Sequence, residues 1–145
     1  MAQNLLDGTT MVCADSHPDE INVLASQTDW AWPIALGHIF RPRGVNLIVA
    51  GTANEFVSVL KSRRVQATIV DADTSLGGLA TIRVIRMGFP RLPCLVVSND
   101  SHQALLQRAL DLDVFSVIDK PVDMGILQQQ LNKLFMKVYR SNVFE

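Results

Sequence analysis

Four polar side chains stand at the ends of short apolar runs. Asp15 follows residues 11–14, Asp71 follows 67–70, Ser98 follows 94–97, and Lys120 lies just past 114–118. If each run is a strand of one parallel sheet, the loops at the carboxyl ends converge, and open α/β sheets bind their ligands at that edge. Two carboxylates, a hydroxyl and an ammonium then meet in one cleft. The acids offer oxygens to a hard cation; the hydroxyl and the ammonium offer donors and positive charge to an anion. Taken singly, an aspartate at a strand end is often a turn former or a cap, and so is a serine. Lys120 is harder to dismiss, because a lysine ending a buried strand needs a carboxylate partner or solvent. Their convergence weighs more than any one of them.

The elements that must position these residues follow from the runs themselves. MVCA at 11–14, NLIVA at 46–50, ATIV at 67–70, CLVV at 94–97 and VFSVI at 114–118 are apolar without strict alternation. That pattern suits strands buried on both faces of a parallel sheet. Between them the apolar spacing is helical. Phe56, Val57 and Leu60 share a face in 53–61, and Ile82 and Ile85 do so in 79–86. Leu105, Leu106, Ala109 and Leu110 gather in 101–110, capped by Asp100 or Ser101. Ile126, Leu127, Leu131, Leu134, Phe135 and Val138 form a stripe over 123–138, capped by Asp123. Residues 18–45 are too long for one helix and a turn. They read as a helix over 19–27 and a short second helix from Pro33, where proline is tolerated in the first turn. Alternating strands and helices predict a doubly wound α/β domain, a five-stranded parallel sheet with helices on both faces, for which the usual flavodoxin-like order 2-1-3-4-5 is expected.

Composition narrows the function classes. The 145 residues are 48% hydrophobic and 19% charged, enough apolar material for one packed domain over 1–145 and against disorder. Thirteen Lys and Arg against fourteen Asp and Glu give a formal charge of −1, so no overall basic field draws nucleic acid or anionic lipid. Too little chain follows Pro121 for an appended DNA-binding domain. No apolar run is long enough to span a membrane, and no basic residue precedes an apolar stretch as in a secretory signal. A cytoplasmic domain is expected.

Other candidates carry less. Cys13 and Cys94 fall on the expected strands one and four, about 9–10 Å apart with strand three between them. That is beyond disulfide reach, so both read as reduced core thiols. His17, His38 and His102 lie on separate segments without metal-ligand spacing. Gly77-Gly78 lacks the context of a phosphate-binding loop. Arg41, Arg43, Arg63 and Arg64 read as a solvated face, and Trp30 and Trp32 as core anchors or an interface pair.

Over about residues 9–137 the chain resembles the receiver domain of two-component response regulators. ATIVD at 67–71, PCLVVS at 93–98 and VIDKPV at 117–122 carry the resemblance. It implies that Asp71 accepts a phosphoryl group from a histidine kinase or phosphotransfer protein. Lys120, of the Lys120-Pro121 step, would bridge to that group, and Ser98 would sense one of its oxygens. Mg²⁺ would be held by Asp15, Asp71 and the backbone carbonyl of Asp73. The phosphorylated module would signal to an effector, or to a second copy, through the face built from helix four, strand five and helix five. No enzymatic activity is implied beyond the module's own phosphorylation and dephosphorylation.

The chain also departs from the family pattern. Ser16 stands where a second acid normally follows Asp15, and a hydroxyl offers no anionic oxygen to a hard cation. One charge a few ångströms away is worth on the order of 4 kcal/mol at an effective dielectric near 20, so Mg²⁺ should bind weakly. The Asp73 side chain can restore part of that. Ser75 replaces a usual proline, Val117 the aromatic switch residue, and Asn99 a small residue after Ser98. Residues 30–44 look like an insertion between the first two strands. Two readings stay open: a phosphoacceptor on Asp71, which Asp71, Ser98 and Lys120 favour, and a phosphorylation-independent pseudo-receiver, which Ser16, Val117 and Asn99 favour.

Overall fold

In the computed structural model, which describes residues 20–26, 33–73, 79–99 and 103–145, five parallel strands form one sheet in the order β2-β1-β3-β4-β5. They are β1 (Ile21–Ser26), β2 (Val45–Ala50), β3 (Ala67–Asp71), β4 (Cys94–Ser98) and β5 (Ser116–Asp119). The helices are α1 (Pro33–Phe40), α2 (Ala53–Ser62), α3 (Leu79–Gly88), α4 (Gln103–Asp111) and α5 (Met124–Tyr139). This is the doubly wound class that the alternation of apolar runs predicts, in the flavodoxin-like order expected for it.

Local chemistry sets the boundaries. Thr52 and Glu55 form a capping box at the start of α2, the Thr52 hydroxyl accepting from the Glu55 N–H while Glu55 accepts from the Thr52 N–H. Asp123 caps α5, accepting from the N–H groups of Gly125 at 2.8 Å and Ile126 at 3.1 Å. Gly44, at φ +69°, turns the chain into β2 in a region where other residues are strained.

Neighbouring side chains along each strand enter opposite faces of the sheet. On one face Val23, Ile69, Leu95 and Val97 pack with Leu36 and Phe40 of α1 and Leu131 and Phe135 of α5. On the other, Leu24, Val70 and Val96 pack with Phe56 of α2, Ile82 of α3 and Leu105 of α4. All five residues of β3 and of β4 are buried, and each strand delivers one polar residue, Asp71 or Ser98, at its carboxyl end. Past α5 the chain turns at Arg140 and seats Phe144 against Phe40 and Phe135, with ring centroids 5.4 and 5.0 Å apart. Among the described residues no helix is long and apolar enough to cross a membrane.

The first strand is not where the sequence pattern put it. Residues 11–14 lie outside the described residues, and the strand between β2 and β3 is Ile21–Ser26, in a stretch read as helix. Asn22 disguises it, because a polar residue near the start of INVLAS breaks the apolar run. It is fully buried and satisfied: its amide donates to the Arg64 carbonyl at 2.7 Å and to Glu20 Oε1 at 3.0 Å, and its oxygen accepts from Asn46 at 3.1 Å. The expected short helix from Pro33 is present, but it is the crossover joining β1 to β2 rather than part of an insertion over 30–44.

Two helical stripes are narrower than expected. On α4, Leu105 and Ala109 are buried while Leu106 and Leu110 are exposed; on α5, Ile126 and Val138 are exposed. Leu106, Leu110 and Ile126 each lie one position, about 100° of helical rotation, from a buried neighbour, and Val138 lies in the exposed last turn of α5.

Candidate functional site

The carboxyl ends of β1, β3, β4 and β5 bring Ser26, Asp71, Ser98 and Lys120 into one cleft. Parallel pairing sets their depths: Asp71 lies opposite Val97, and Ser98 opposite Asp119. The Lys120 N–H extends that ladder by donating to the Ser98 carbonyl at 2.9 Å, which fixes where the lysine side chain starts.

Lys120 Nζ is 2.6 Å from Asp71 Oδ2 and 3.2 Å from Asp73 Oδ2. The Asp71 side chain has no solvent exposure and that of Lys120 has 7%, so this is a buried ion pair with a second acid at its rim. The carboxylate partner that a strand-ending lysine requires is thus present. Asp71 is further fixed by its own backbone, whose N–H donates to Ser26 Oγ at 2.8 Å. Its Oδ1 accepts the Asp73 N–H at 2.8 Å, an aspartate turn that folds the chain back over the end of β3.

The Asp73 side chain closes the cleft from above. Its Oδ1 accepts from Ser98 Oγ at 3.0 Å and its Oδ2 from the Asn99 N–H at 2.6 Å. Burial works against its charge, but those two donors and Lys120 outweigh it and hold the carboxyl below its ordinary 3.8. Desolvation likewise works against the Lys120 ammonium, yet its bonds to Asp71 and Asp73 push it above 10.5. Charge is therefore locked in on both sides.

Of the site residues that sequence suggested, Asp71, Asp73, Ser98 and Lys120 come together. Asp15 and Ser16 lie outside the described residues, as do Ser75, Gly77-Gly78, Trp30, Trp32, Cys13, His17 and His102. His38 is exposed on α1, and Cys94 is a buried thiol whose pKa burial pushes up. Val117 is half-buried beside the core cluster that contains Val114 and Val96. The residue that sequence reasoning missed is Ser26. The signal for it was present, an apolar run ending in a polar residue, but it was masked by the competing run before Asp15.

The described residues do not fit a magnesium site. At the end of β1, Ser26 offers a hydroxyl and no acid. Both oxygens of Asp71 already accept from Asp73 N–H and Lys120. Among the described residues no three His, Cys, Asp or Glu side chains are grouped to hold a metal ion. A hard cation needs several oxygens free of competing donors.

A protein-family model described as the response regulator receiver domain matches residues 31–132. Solved structures share the fold. The signal receiver domain of an HD domain-containing protein from Pseudomonas fluorescens Pf-5 is similar at TM-score 0.73 and 18% identity, over 84% of this chain and 99% of that one. The chemotaxis protein CheY4 of Vibrio cholerae is similar at TM-score 0.71 and 16% identity, over 79% and 98%. A response regulator receiver protein from Pseudomonas putida is 26% identical at TM-score 0.68, over 79% and 96%. No curated protein matches the sequence.

Proposed function

Since the chain belongs to the response regulator receiver domain family, we propose that it is a signalling module that works by protein–protein contact without phosphorylation of Asp71. One observation carries this reading: the Asp73 carboxylate already occupies the donors of Ser98, Asn99 and Lys120 beside Asp71. A carboxylate attacking a phosphoryl group approaches another anion, and the barrier falls only when cations and donors are placed around the transferring oxygens. Here those donors serve an acid of the chain itself, and the end of β1 supplies Ser26 in place of an acid.

Contact with a partner protein falls, in this reading, to the face of α4, β5 and α5. Leu106 and Leu110 of α4 and Ile126 of α5 are exposed there. Val117, Pro121 and Ile126 line a groove of about 270 Å³ between β5 and α5. Exposed apolar side chains beside a groove favour recognition of a protein surface over a small charged ligand. The module is not an enzyme on this account, and it acts in the cytoplasm.

The test is incubation with acetyl phosphate and Mg²⁺, followed by intact-mass measurement. The expected result is no gain of a phosphoryl mass. A stable gain that disappears in Asp71→Asn would establish the other reading, in which Asp71 receives the group from a histidine kinase or phosphotransfer protein.

A further inference from the structure

Three donors from three places in the chain converge beside Asp71. Ser98 Oγ comes from the end of β4, the Asn99 N–H from the residue after it, and Lys120 Nζ from the residue following β5. All three end on one carboxylate, that of Asp73, at 3.0, 2.6 and 3.2 Å. A hydroxyl, an amide and an ammonium around two oxygens is the environment that an oxyanion requires. A turn alone does not call for it, because the turn at 71–73 is already closed by the Asp73 N–H on Asp71 Oδ1. The side chain is also poorly placed to be a packing element, being 28% exposed.

We infer that Asp73 is an internal ligand of the cleft: its carboxylate fills an oxyanion seat built by Ser98, Asn99 and Lys120, and competes there with phosphate-like anions from outside. This rests on the phosphorylation-independent reading and gives it a physical cause. The seat is satisfied without any added group, so the end of β4 is held by Asp73 through two bonds, the Ser98 hydroxyl on Oδ1 and the Asn99 N–H on Oδ2. Asp71 has a separate part, as the buried counter-charge that fixes Lys120. An outside anion gains the seat only by displacing an acid tethered two residues from Asp71, whose effective concentration is high. Removing that acid turns a filled seat into an open binding site.

The test is titration with inorganic phosphate, followed through the Asn99 amide resonance and the melting temperature. Asp73→Ala is expected to bind phosphate at least about tenfold more tightly than the wild type, because the competing ligand is gone. Its Asn99 amide should shift on mutation and move back as phosphate fills the seat. Asp73→Ala combined with Ser98→Ala should lose the gain. Should Asp73→Ala not fold, Asp73→Ser gives the same comparison with a side chain too short to reach both donors. Equal affinity in wild type and variant, including none in either, would overturn the inference, as would an Asn99 amide indifferent to both mutation and phosphate. The acetyl phosphate experiment is independent. Phosphorylation of the wild type would sink the reading of function, while the seat stands or falls on the gain in Asp73→Ala.

Discussion

The ammonium of Lys120 stands 2.6 Å from Oδ2 of Asp71, a carboxylate with no solvent exposure. Such a pair is worth little against an apolar replacement, but breaking it from one side strands a buried charge. Lys120→Ala is therefore expected to cost about 3–5 kcal/mol of stability. Adding Asp71→Asn should recover part of that loss, because the stranded charge is gone. Urea unfolding of the four proteins in a double-mutant cycle measures the coupling. Strict additivity would show that the two side chains do not pair in solution.

Ser26 accepts the Asp71 N–H at 2.8 Å and is itself buried. Ser26→Asp places a third carboxylate beside Asp71 and Asp73, where Lys120 is the cation paired with them among the described residues. The melting temperature should fall without metal, by the equivalent of about 1–3 kcal/mol, since buried like charges oppose ionisation. The same substitution supplies an acid at the end of β1, so millimolar Mg²⁺ should restore part of the loss in the variant and do little for the wild type. A variant as stable as the wild type in both conditions would show that Ser26 does not face the cleft.

Both charged residues around the seat carry a pH signature. The Asp73 carboxyl is held below 3.8, so its contribution is complete above that value and is lost as the pH falls through the lower folded value. Lys120 is raised above 10.5, so its contribution is complete below that value and is lost as the pH rises through the higher folded one. Thermal melts in acid should show a smaller loss for Asp73→Asn than for the wild type below about pH 4. Parallel acid limbs for the two proteins would show that Asp73 makes no charge-dependent bonds.

Phe144 is 1% exposed and meets Phe40 and Phe135 edge-on, and the Gln128 side chain donates to its carbonyl at 3.1 Å. Phe144→Ala should cost about 3–5 kcal/mol through the cavity it leaves between α1 and α5. Gln128→Ala should cost about 0.5–1.5 kcal/mol, the worth of one hydrogen bond. Chemical denaturation of both decides the matter. A Phe144→Ala loss no larger than that of Gln128→Ala would mean that the ring does not hold the end of the chain to the core.

The sequence by itself determined the fold class, four of the five strands, and the positions of Asp71, Ser98 and Lys120 at strand ends. Of those strands β3 and β4 are buried throughout, while β2 and β5 at the sheet edges are only partly covered. All four are short apolar runs, and such runs read as strands of one parallel sheet once helices alternate with them. The cap of α5 was equally legible, because an aspartate just before an amphipathic stripe satisfies N–H groups that nothing else reaches. Only the tertiary structure decided β1. Residues 11–14 and 21–26 are both apolar stretches ending in a polar residue, and the choice between them depends on partners far along the chain: Val45–Ala50 on one side, Ala67–Ile69 on the other, and the Arg64 carbonyl that satisfies Asn22. The seat around Asp73 was beyond sequence for the same reason. Its donors lie 25, 26 and 47 positions along the chain from Asp73, and only the register of β3, β4 and β5 brings a hydroxyl, an amide and an ammonium to one carboxylate.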